Sequence, residues 1–290
     1  MKVIVIGAGA SGLMCAYRLK QNNVEVILLE KNEKVGKKIY ITGKGRCNVT
    51  NNCTNEEFLK NVVRNNKFLY SAISHFSPID TINFFETNNV KLIIERGNRV
   101  FPVSYKASDI ANALYNANKK IGVDIHLNEK VLSLDKINKE FIIKTTKSRY
   151  TADKVVIATG GKSYPLTGSS GDGYIFAKHF NHEITPLYPA LNALKVKEDI
   201  NEELYKFTLK NVTLKAKFDN KEIKEFGEIT FYKEGIAGPI ALTISSLINR
   251  IESNKVSLSI DFKPALDEKQ LDNRIIREIA SKKSNNIIEL

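Results

Sequence analysis

A chain of 290 residues, 42% hydrophobic and 26% charged, is long enough for one large core or two smaller ones and has the composition of a globular protein. No apolar run approaches the ~18 residues of a membrane span, the start Met1 to Gly7 is too short for a signal peptide, and Cys15, Cys47 and Cys53 have no disulfide-framework spacing; the reading is a cytoplasmic protein with free thiols. Lysine and arginine outnumber acids by 44 to 32, a net +12, but they are scattered, without a long block or an interleaved aromatic stripe. That favours a solvated basic surface, whose field attracts anionic cofactors or substrates, over nucleic-acid binding.

In chain order, Lys2–Ile6 is a β-branched run that Gly7 ends, 11–21 reads as a helix, and 24–29 as a second buried strand. Residues 31–55 form a long polar loop containing glycines, a length that usually signals function inside a compact domain. Helical patterns cover 55–76, Pro78–Thr87 and 106–121, with a strand over 123–127. Three strand-like pieces, 130–134, 140–146 and 150–152, predict a small antiparallel meander. Residues 154–158 form a continuous apolar strand of the kind buried in a parallel sheet. After Pro186 short alternating stretches at 212–218, 228–232 and 255–261 predict a second, β-rich domain, and 266–290 reads as helical.

The sharpest local signal is Gly7-Ala8-Gly9-Ala10-Ser11-Gly12, a G-x-G-x-x-G that follows a strand and opens a helix. Gly7 permits the tight turn, Gly9 lets the backbone approach a pyrophosphate, and Gly12 lets the helix pack against the strand. The N–H groups around Ala10 and Ser11 then face the phosphates with the helix dipole behind them. Glu30, followed by Lys31, ends the second strand, where an acid can bond the ribose hydroxyls of an adenosine and would repel a 2′-phosphate.

The fingerprint alone does not separate FAD from NAD. The order after it does more: a crossover to a meander, then a strand ending Ala158-Thr159-Gly160-Gly161, is similar to two-domain FAD proteins. The stretch ending Gly171-Asp172-Gly173 resembles a segment of the fumarate reductase group, in which the aspartate meets FAD; Asp172 could equally be a helix N-cap.

The most specific string is Lys44-Gly45-Arg46-Cys47-Asn48-Val49-Thr50-Asn51, after Lys37-Lys38-Ile39 and Thr42-Gly43. With the strings above and Gly235-Ile236-Ala237-Gly238-Pro239, the whole chain resembles the family of NAD(P)/FAD-dependent oxidoreductases that includes aminoacetone oxidase-like and 3-dehydro-bile-acid reductase-like flavoproteins. The resemblance implies an α/β fold: a Rossmann-type FAD-binding domain with a β-meander (1–188), an inserted β-barrel-like domain (189–262), and a helical appendage (263–290). It implies FAD held by Gly7, Gly9, Ala10, Ser11, Gly12, Glu30 and Lys31, and by the loop residues Lys37, Lys38, Thr42, Gly45, Arg46, Cys47 and Asn48. The backbone of Val131 would contact the adenine, the turn at Ala158, Thr159 and Gly160 would pass beside the cofactor, and Asp172 would meet it.

The chemistry implied is two-electron transfer between a small organic molecule and the flavin, with NAD(P)H as a transient donor, since no second G-x-G-x-x-G is present. No acid or base can be named. Cys47 beside Arg46 is the tempting nucleophile, although a packing or flavin-contact role is preferred. Tyr164 could border a substrate pocket. His75, His126, His179 and His182 are scattered and complete no metal site. Members of the family return to the FAD domain through a later glycine-rich segment, and nothing after Asp261 resembles it. Two alternatives follow: a flavoprotein that needs a C-terminal fragment or partner to complete its FAD site, or a basic nucleic-acid-modifying flavoprotein.

Overall fold

The computed structural model describes residues 1–281 and divides the chain into two compact units, Met1–Thr185 and the part from Pro186 onward. The helical reading of 266–290 is followed as far as Ser281; its remainder lies outside the described residues.

The first unit begins with β1 (Lys2–Ile6), α1 (Ala10–Gln21) and β2 (Glu25–Leu29). It continues through β3 (Thr50–Asn51), α2 (Asn55–Lys60), α3 (Tyr70–His75), α4 (Pro78–Thr87), β4 (Leu92–Glu95) and β5 (Arg99–Pro102). Then come α5 (Ala107–Lys120), β6 (Asp124–His126), β7 (Val131–Ile137), β8 (Glu140–Thr145), β9 (Arg149–Ala152), β10 (Lys154–Ile157) and α6 (Asp172–His179).

The central sheet is parallel, in the order β10-β1-β2-β6. Its apolar runs are explained by two covered faces. Val3, Val5, Val26 and Leu28 share a core with Leu13 and Ala16 of α1 and Ile110, Ala111 and Leu114 of α5. Ile4, Ile6, Ile27 and Leu29 join Val131, Leu134, Ile143 and Ala152 of the antiparallel meander β7-β8-β9, with Phe176 of α6. Because both faces are buried, alternation gives way to continuous Val/Ile/Leu. In α5 the buried positions Ala107, Ile110, Ala111, Leu114 and Ala117 recur at helical spacing, which supplies the stripe that docks on the sheet.

Two expectations are corrected, and one element is added. The strand at 154–158 lies in the parallel sheet but, among the described residues, at its edge: β10 pairs with β1 alone, and Ile157 is 39% exposed. The helical pattern over 55–76 breaks into α2, a 3-10 turn at Asn66–Leu69, and α3, with left-handed Asn65 at the break. Thr54 and Glu57 close a capping box that starts α2, but none of the three pieces buries a residue, so no packing holds a continuous helix. The added element is the hairpin β4-β5, whose β5 pairs with β3 and which the apolar pattern of the chain does not predict. Its signal was Gly97-Asn98, both at positive φ, the turn chemistry a tight hairpin requires.

The second unit contains β11 (Leu194–Lys195), β12 (Thr208–Phe218), β13 (Lys221–Tyr232), β14 (Gly235–Ala237), α7 (Pro239–Ile248), β15 (Ser257–Asp261) and α8 (Glu268–Ser281). Its strands form one antiparallel sheet, β11-β14-β13-β12-β15, a half-barrel. Val212, Leu214, Ala216 and Ile229 of the sheet pack against Ile240, Ala241, Ile244 and Ile248 of α7. The helix α8 buries no residue. Among the described residues no helix is long and apolar enough to cross a membrane.

Candidate cofactor site

The site is built at the carboxyl ends of β1 and β2. After Ile6 the chain turns through Gly7, whose φ of +103° a side chain rarely tolerates. The Gly7 N–H donates to the Leu29 carbonyl (2.7 Å), and the Ala8 N–H to Glu30 Oε2 (2.8 Å), so the turn is tied to β2 at two points. A Cβ on Gly12 would stand 1.8 Å from the Gly7 carbonyl oxygen, which is the close packing of helix on turn that the fingerprint requires. A Cβ on Gly9 would meet nothing within 4 Å, because that position faces open space.

That open space is a cavity of about 380 Å³, within the range of small-molecule sites. It brings together Gly7, Gly9, Ala10, Ser11, Glu30 and Lys31; Lys37, Lys38 and Thr42; and Val131, Ala158, Thr159, Gly160 and Asp172. Five predicted residues do not line it. Gly12 lies behind the turn, supporting it. Gly45, Arg46, Cys47 and Asn48 lie on the later part of the loop, past a kink where Gly43 and Lys44 take positive φ.

Arg46 is held elsewhere. Its guanidinium bonds Glu95 (3.1 Å) and stacks 4.5 Å from the Phe101 ring centroid and 5.3 Å from that of Tyr105. Cys47 is buried in the core against which α1 and α5 pack, and burial pushes its thiol up despite a lowering contact with Thr42. The cation-activated nucleophile considered for Cys47 is therefore replaced by a protonated packing thiol.

Glu30 is 93% buried in side-chain surroundings that satisfy it: besides the Ala8 bond, Oε1 accepts from the Asn32 N–H (2.8 Å) and from Asn32 Nδ2 (2.6 Å), with the residue only 7% exposed. A carboxylate has about four acceptor positions. Three are used, and one remains for a ligand hydroxyl.

Two lysines bring positive charge. Lys31 Nζ donates to Asp172 Oδ2 (2.8 Å) and Ser170 Oγ (2.6 Å), joining the end of β2 to the start of α6. Asp172 is not the N-cap of α6; Gly171 is, and Asp172 occupies the first turn. Burial pushes the Asp172 carboxyl up, but Lys31 and Ser170 outweigh it and hold it below its ordinary value. Lys38 Nζ donates to Ser169 Oγ (2.7 Å), and burial lowers its ammonium below the usual lysine range.

The Asp172 shift carries a pH prediction. A carboxyl whose folded pKa is depressed stabilises the fold above its unfolded value of about 3.9, and that contribution is lost as pH falls through the folded pKa. Asp172→Asn should cost about 1 kcal/mol at neutral pH after solvent screening. The gap between mutant and wild type should close below about pH 4. Urea melts of both proteins across that range check it; a gap that is constant down to the lowest pH would contradict it.

Sequence reasoning missed Glu129 and Ser169, which also line the cavity. Glu129 is 2% exposed and accepts from Thr145 Oγ1 (2.6 Å) and from the Tyr150 hydroxyl (2.9 Å). Its N–H bonds the Glu30 carbonyl (2.8 Å), so the segment leading to Val131 is anchored directly on the acid that ends β2. No local pattern marks Glu129; its partners lie 16 and 21 residues on. Among the described residues no group of side chains is arranged to hold a metal ion. Tyr164 is not among the cavity's lining residues.

The first turn of α1 has neither a side-chain cap nor an acid, and it opens on this cavity with Lys38 nearby. Uncapped N–H donors, the positive helix end and a lysine suit a pyrophosphate, and the remaining acceptor of Glu30 suits a ribose. The residues present therefore fit an adenine dinucleotide, and the fold and site together define a dinucleotide-binding Rossmann domain.

The chain belongs to the HI0933-like Rossmann-domain family, an FAD-binding family whose model matches residues 1–277. It is 29% identical over 275 residues to a 3-dehydro-bile acid delta(4,6)-reductase of Clostridium scindens, covering 93% of this chain and 66% of that protein. It is also 29% identical over 270 residues to a ribosomal RNA dihydrouridine synthase of Escherichia coli, covering 92% of this chain and 66% of that one. The chain thus spans about two thirds of the length of these relatives. Among solved structures, a flavocytochrome c3 fumarate reductase in an open conformation shares the fold at a TM-score of 0.50 and 21% identity, over 61% of this chain and 40% of the other.

Proposed function

We propose that this chain binds FAD in the cavity at the end of β1 and acts as an oxidoreductase that adds two hydrogens to a carbon–carbon double bond conjugated to a carbonyl. The observation that carries the cofactor reading is the uncapped start of α1 facing the cavity beside Lys38. The substrate class draws on the relatives: one is named as a delta(4,6)-reductase and another as a dihydrouridine synthase, so both names describe saturation of a double bond.

When bound, FAD supplies a two-electron carrier able to give hydride to the electron-poor carbon of such a bond. The chain's own work is binding and orientation. The N–H groups of α1 and Lys38 hold the pyrophosphate, Glu30 the ribose, and the segment from Glu129 to Val131 the adenine. The Lys31–Asp172 pair ties the end of β2 to the start of α6 where both line the cavity. NAD(P)H is the proposed donor, and the substrate takes up the hydride together with one proton from water or a side chain.

A second reading is favoured by β10. Among the described residues this apolar strand of a parallel sheet is paired on one edge alone, which invites further pairing, so a C-terminal segment or partner is proposed to complete this unit.

One experiment addresses both. The chain is titrated with FAD, reduced anaerobically with NADH or NADPH, and mixed with a conjugated enone or its saturated ketone. Return of the oxidised flavin spectrum with the enone alone is the expected result. Reoxidation by neither compound would sink the double-bond reading. FAD uptake only after a C-terminal partner is supplied would carry the second reading.

A further inference from the structure

The end of β6 carries an imidazole set between two carboxylates. His126 Nε2 lies 2.9 Å from Asp124 Oδ2, and Nδ1 lies 3.3 Å from Glu129 Oε2. The Tyr150 oxygen, on β9, is also 3.3 Å from Nδ1, but its one proton goes to Glu129 Oε1 at 2.9 Å. Burial and Glu129 push the Tyr150 hydroxyl up, so that proton stays on. Burial pushes the Glu129 carboxyl up as well, but Thr145, Tyr150 and His126 outweigh it and hold it below its ordinary value. Both ring nitrogens therefore face acceptors. Only an imidazolium has a proton for each; a neutral ring turns a lone pair toward one of them. Lys147, from the turn between β8 and β9, gives its ammonium to the Leu127 carbonyl (2.9 Å). Glu30, at the end of β2, directs its carboxylate to Ala8 and Asn32.

The ring closes the turn that supports the ribose and adenine end of the cavity. The Glu30 N–H donates to the His126 carbonyl (2.8 Å), the Glu129 N–H to the Glu30 carbonyl (2.8 Å), and the Asn128 N–H to the Asn32 carbonyl (3.0 Å). The turn 126–129 thus clasps 30–32 by its backbone, and the His126–Glu129 contact ties the turn's two ends by side chain. Glu30, Lys31, Asn32, Glu129, Lys130 and Val131 all line the cavity. Loss of the ring's second proton would leave a carboxylate that is only 2% exposed facing a lone pair, and a buried charge so placed drives rearrangement. That rearrangement would fall on the segment running to Val131. From this we infer that His126 is a positioning residue of the cofactor site, and that its proton must be in place for the turn to hold Glu30 and Val131 where FAD is taken up. The inference rests on the cofactor reading above and gives that site a pH-dependent control.

The test is a flavin fluorescence titration of the full chain with FAD across about pH 5 to 8, the range in which imidazoles change charge. Affinity should be highest at the acid end and fall at least about fivefold as pH rises, since the proton favours the state that binds. By the same linkage FAD uptake near neutral pH should draw a proton from solution, which calorimetry in two buffers of different ionisation enthalpy reads directly. His126→Gln should bind at the weaker, high-pH level of wild type throughout the range, with no proton uptake. The alkaline decline tied to Lys38 should persist in it. Asp124→Asn, at an exposed position, removes one of the two carboxylates that favour the proton, so its decline should remain but move to lower pH. A purely structural His126 would lower affinity equally at every pH. Three results would overturn the inference while leaving the cofactor reading intact: wild-type affinity flat across the range, a decline that survives in His126→Gln, or FAD binding without proton uptake. No FAD uptake at any pH would overturn the cofactor reading and this inference with it.

Discussion

Gly12→Ala is expected to lower the melting temperature of this chain by about 10 °C and to abolish FAD uptake, whereas Gly9→Ala leaves the melting temperature unchanged. The two glycines belong to one motif and are separated by what their missing Cβ would touch. At Gly12 it would lie 1.8 Å from the Gly7 carbonyl oxygen and 3.2 Å from the Ala158 Cβ. Both the turn and the helix start would have to move. Backbone on backbone has no rotamer to yield, so the cost is at the upper end of overpacking, about 3 kcal/mol or more, which for a domain of this size is about 10 °C. The same movement breaks the Gly7–Leu29 and Ala8–Glu30 bonds, which aim the helix start at the cavity. At Gly9, φ is −77° and no atom lies within 4 Å, so alanine is tolerated by the fold. Its methyl group would occupy the place where a pyrophosphate approaches the backbone, and FAD affinity should fall at least tenfold. Thermal melts of the FAD-free proteins with flavin titrations of each check the pair. A Gly9→Ala variant that melts as early as Gly12→Ala would show that the whole motif is structural.

That contrast marks what the sequence could and could not disclose. The β1-α1-β2 unit was legible because local rules agree there: apolar runs, a glycine turn, an acid at the second strand's end. The meander was legible for the same reason, its three pieces separated by short polar turns. Information failed where a feature depends on distant residues. Arg46 and Lys38 both looked like loop cations aimed at a phosphate. Glu95, on a hairpin that the reading did not contain, draws Arg46 away, while Ser169, from beyond β10, holds Lys38 at the cavity. The apolar run 154–158 predicts a strand and gives no sign that, among the described residues, it pairs on one edge alone. For Cys47 the packing role preferred over the thiolate that the adjacent arginine suggests is the one its place supports: the chain reverses at positive φ there and the side chain enters the core. Each error followed adjacency in the chain where contact across the fold decided the matter.

Lys38 is where charge should matter most for the cofactor. Lys31 is already paired with Asp172, and Lys37 bonds Glu33 (3.3 Å). Lys38 has a neutral hydroxyl, Ser169 Oγ, as its bonded partner, and so its full positive charge is presented to the cavity it lines. Burial lowers its pKa because an ammonium losing water without a counter-ion is disfavoured, and an anionic ligand would relieve that cost. Lys38→Met keeps the length and apolar stem of the side chain and removes the charge. A hydrogen bond to a charged group contributes about 1.5–3 kcal/mol, so FAD affinity should fall roughly 10- to 150-fold. The salt dependence should also weaken, since one unscreened attraction is gone. Binding by wild type should decline as pH rises through the Lys38 pKa, which lies below the ordinary value of about 10.4, and Lys38→Met should show no such decline. Flavin fluorescence titrations at two salt concentrations and across alkaline pH measure all three effects. Lys37→Met, whose charge is already shared with Glu33, is the control and should change affinity severalfold less. Equal losses in the two variants would mean that net charge attracts the cofactor, and the specific placement of Lys38 would have no part in holding it.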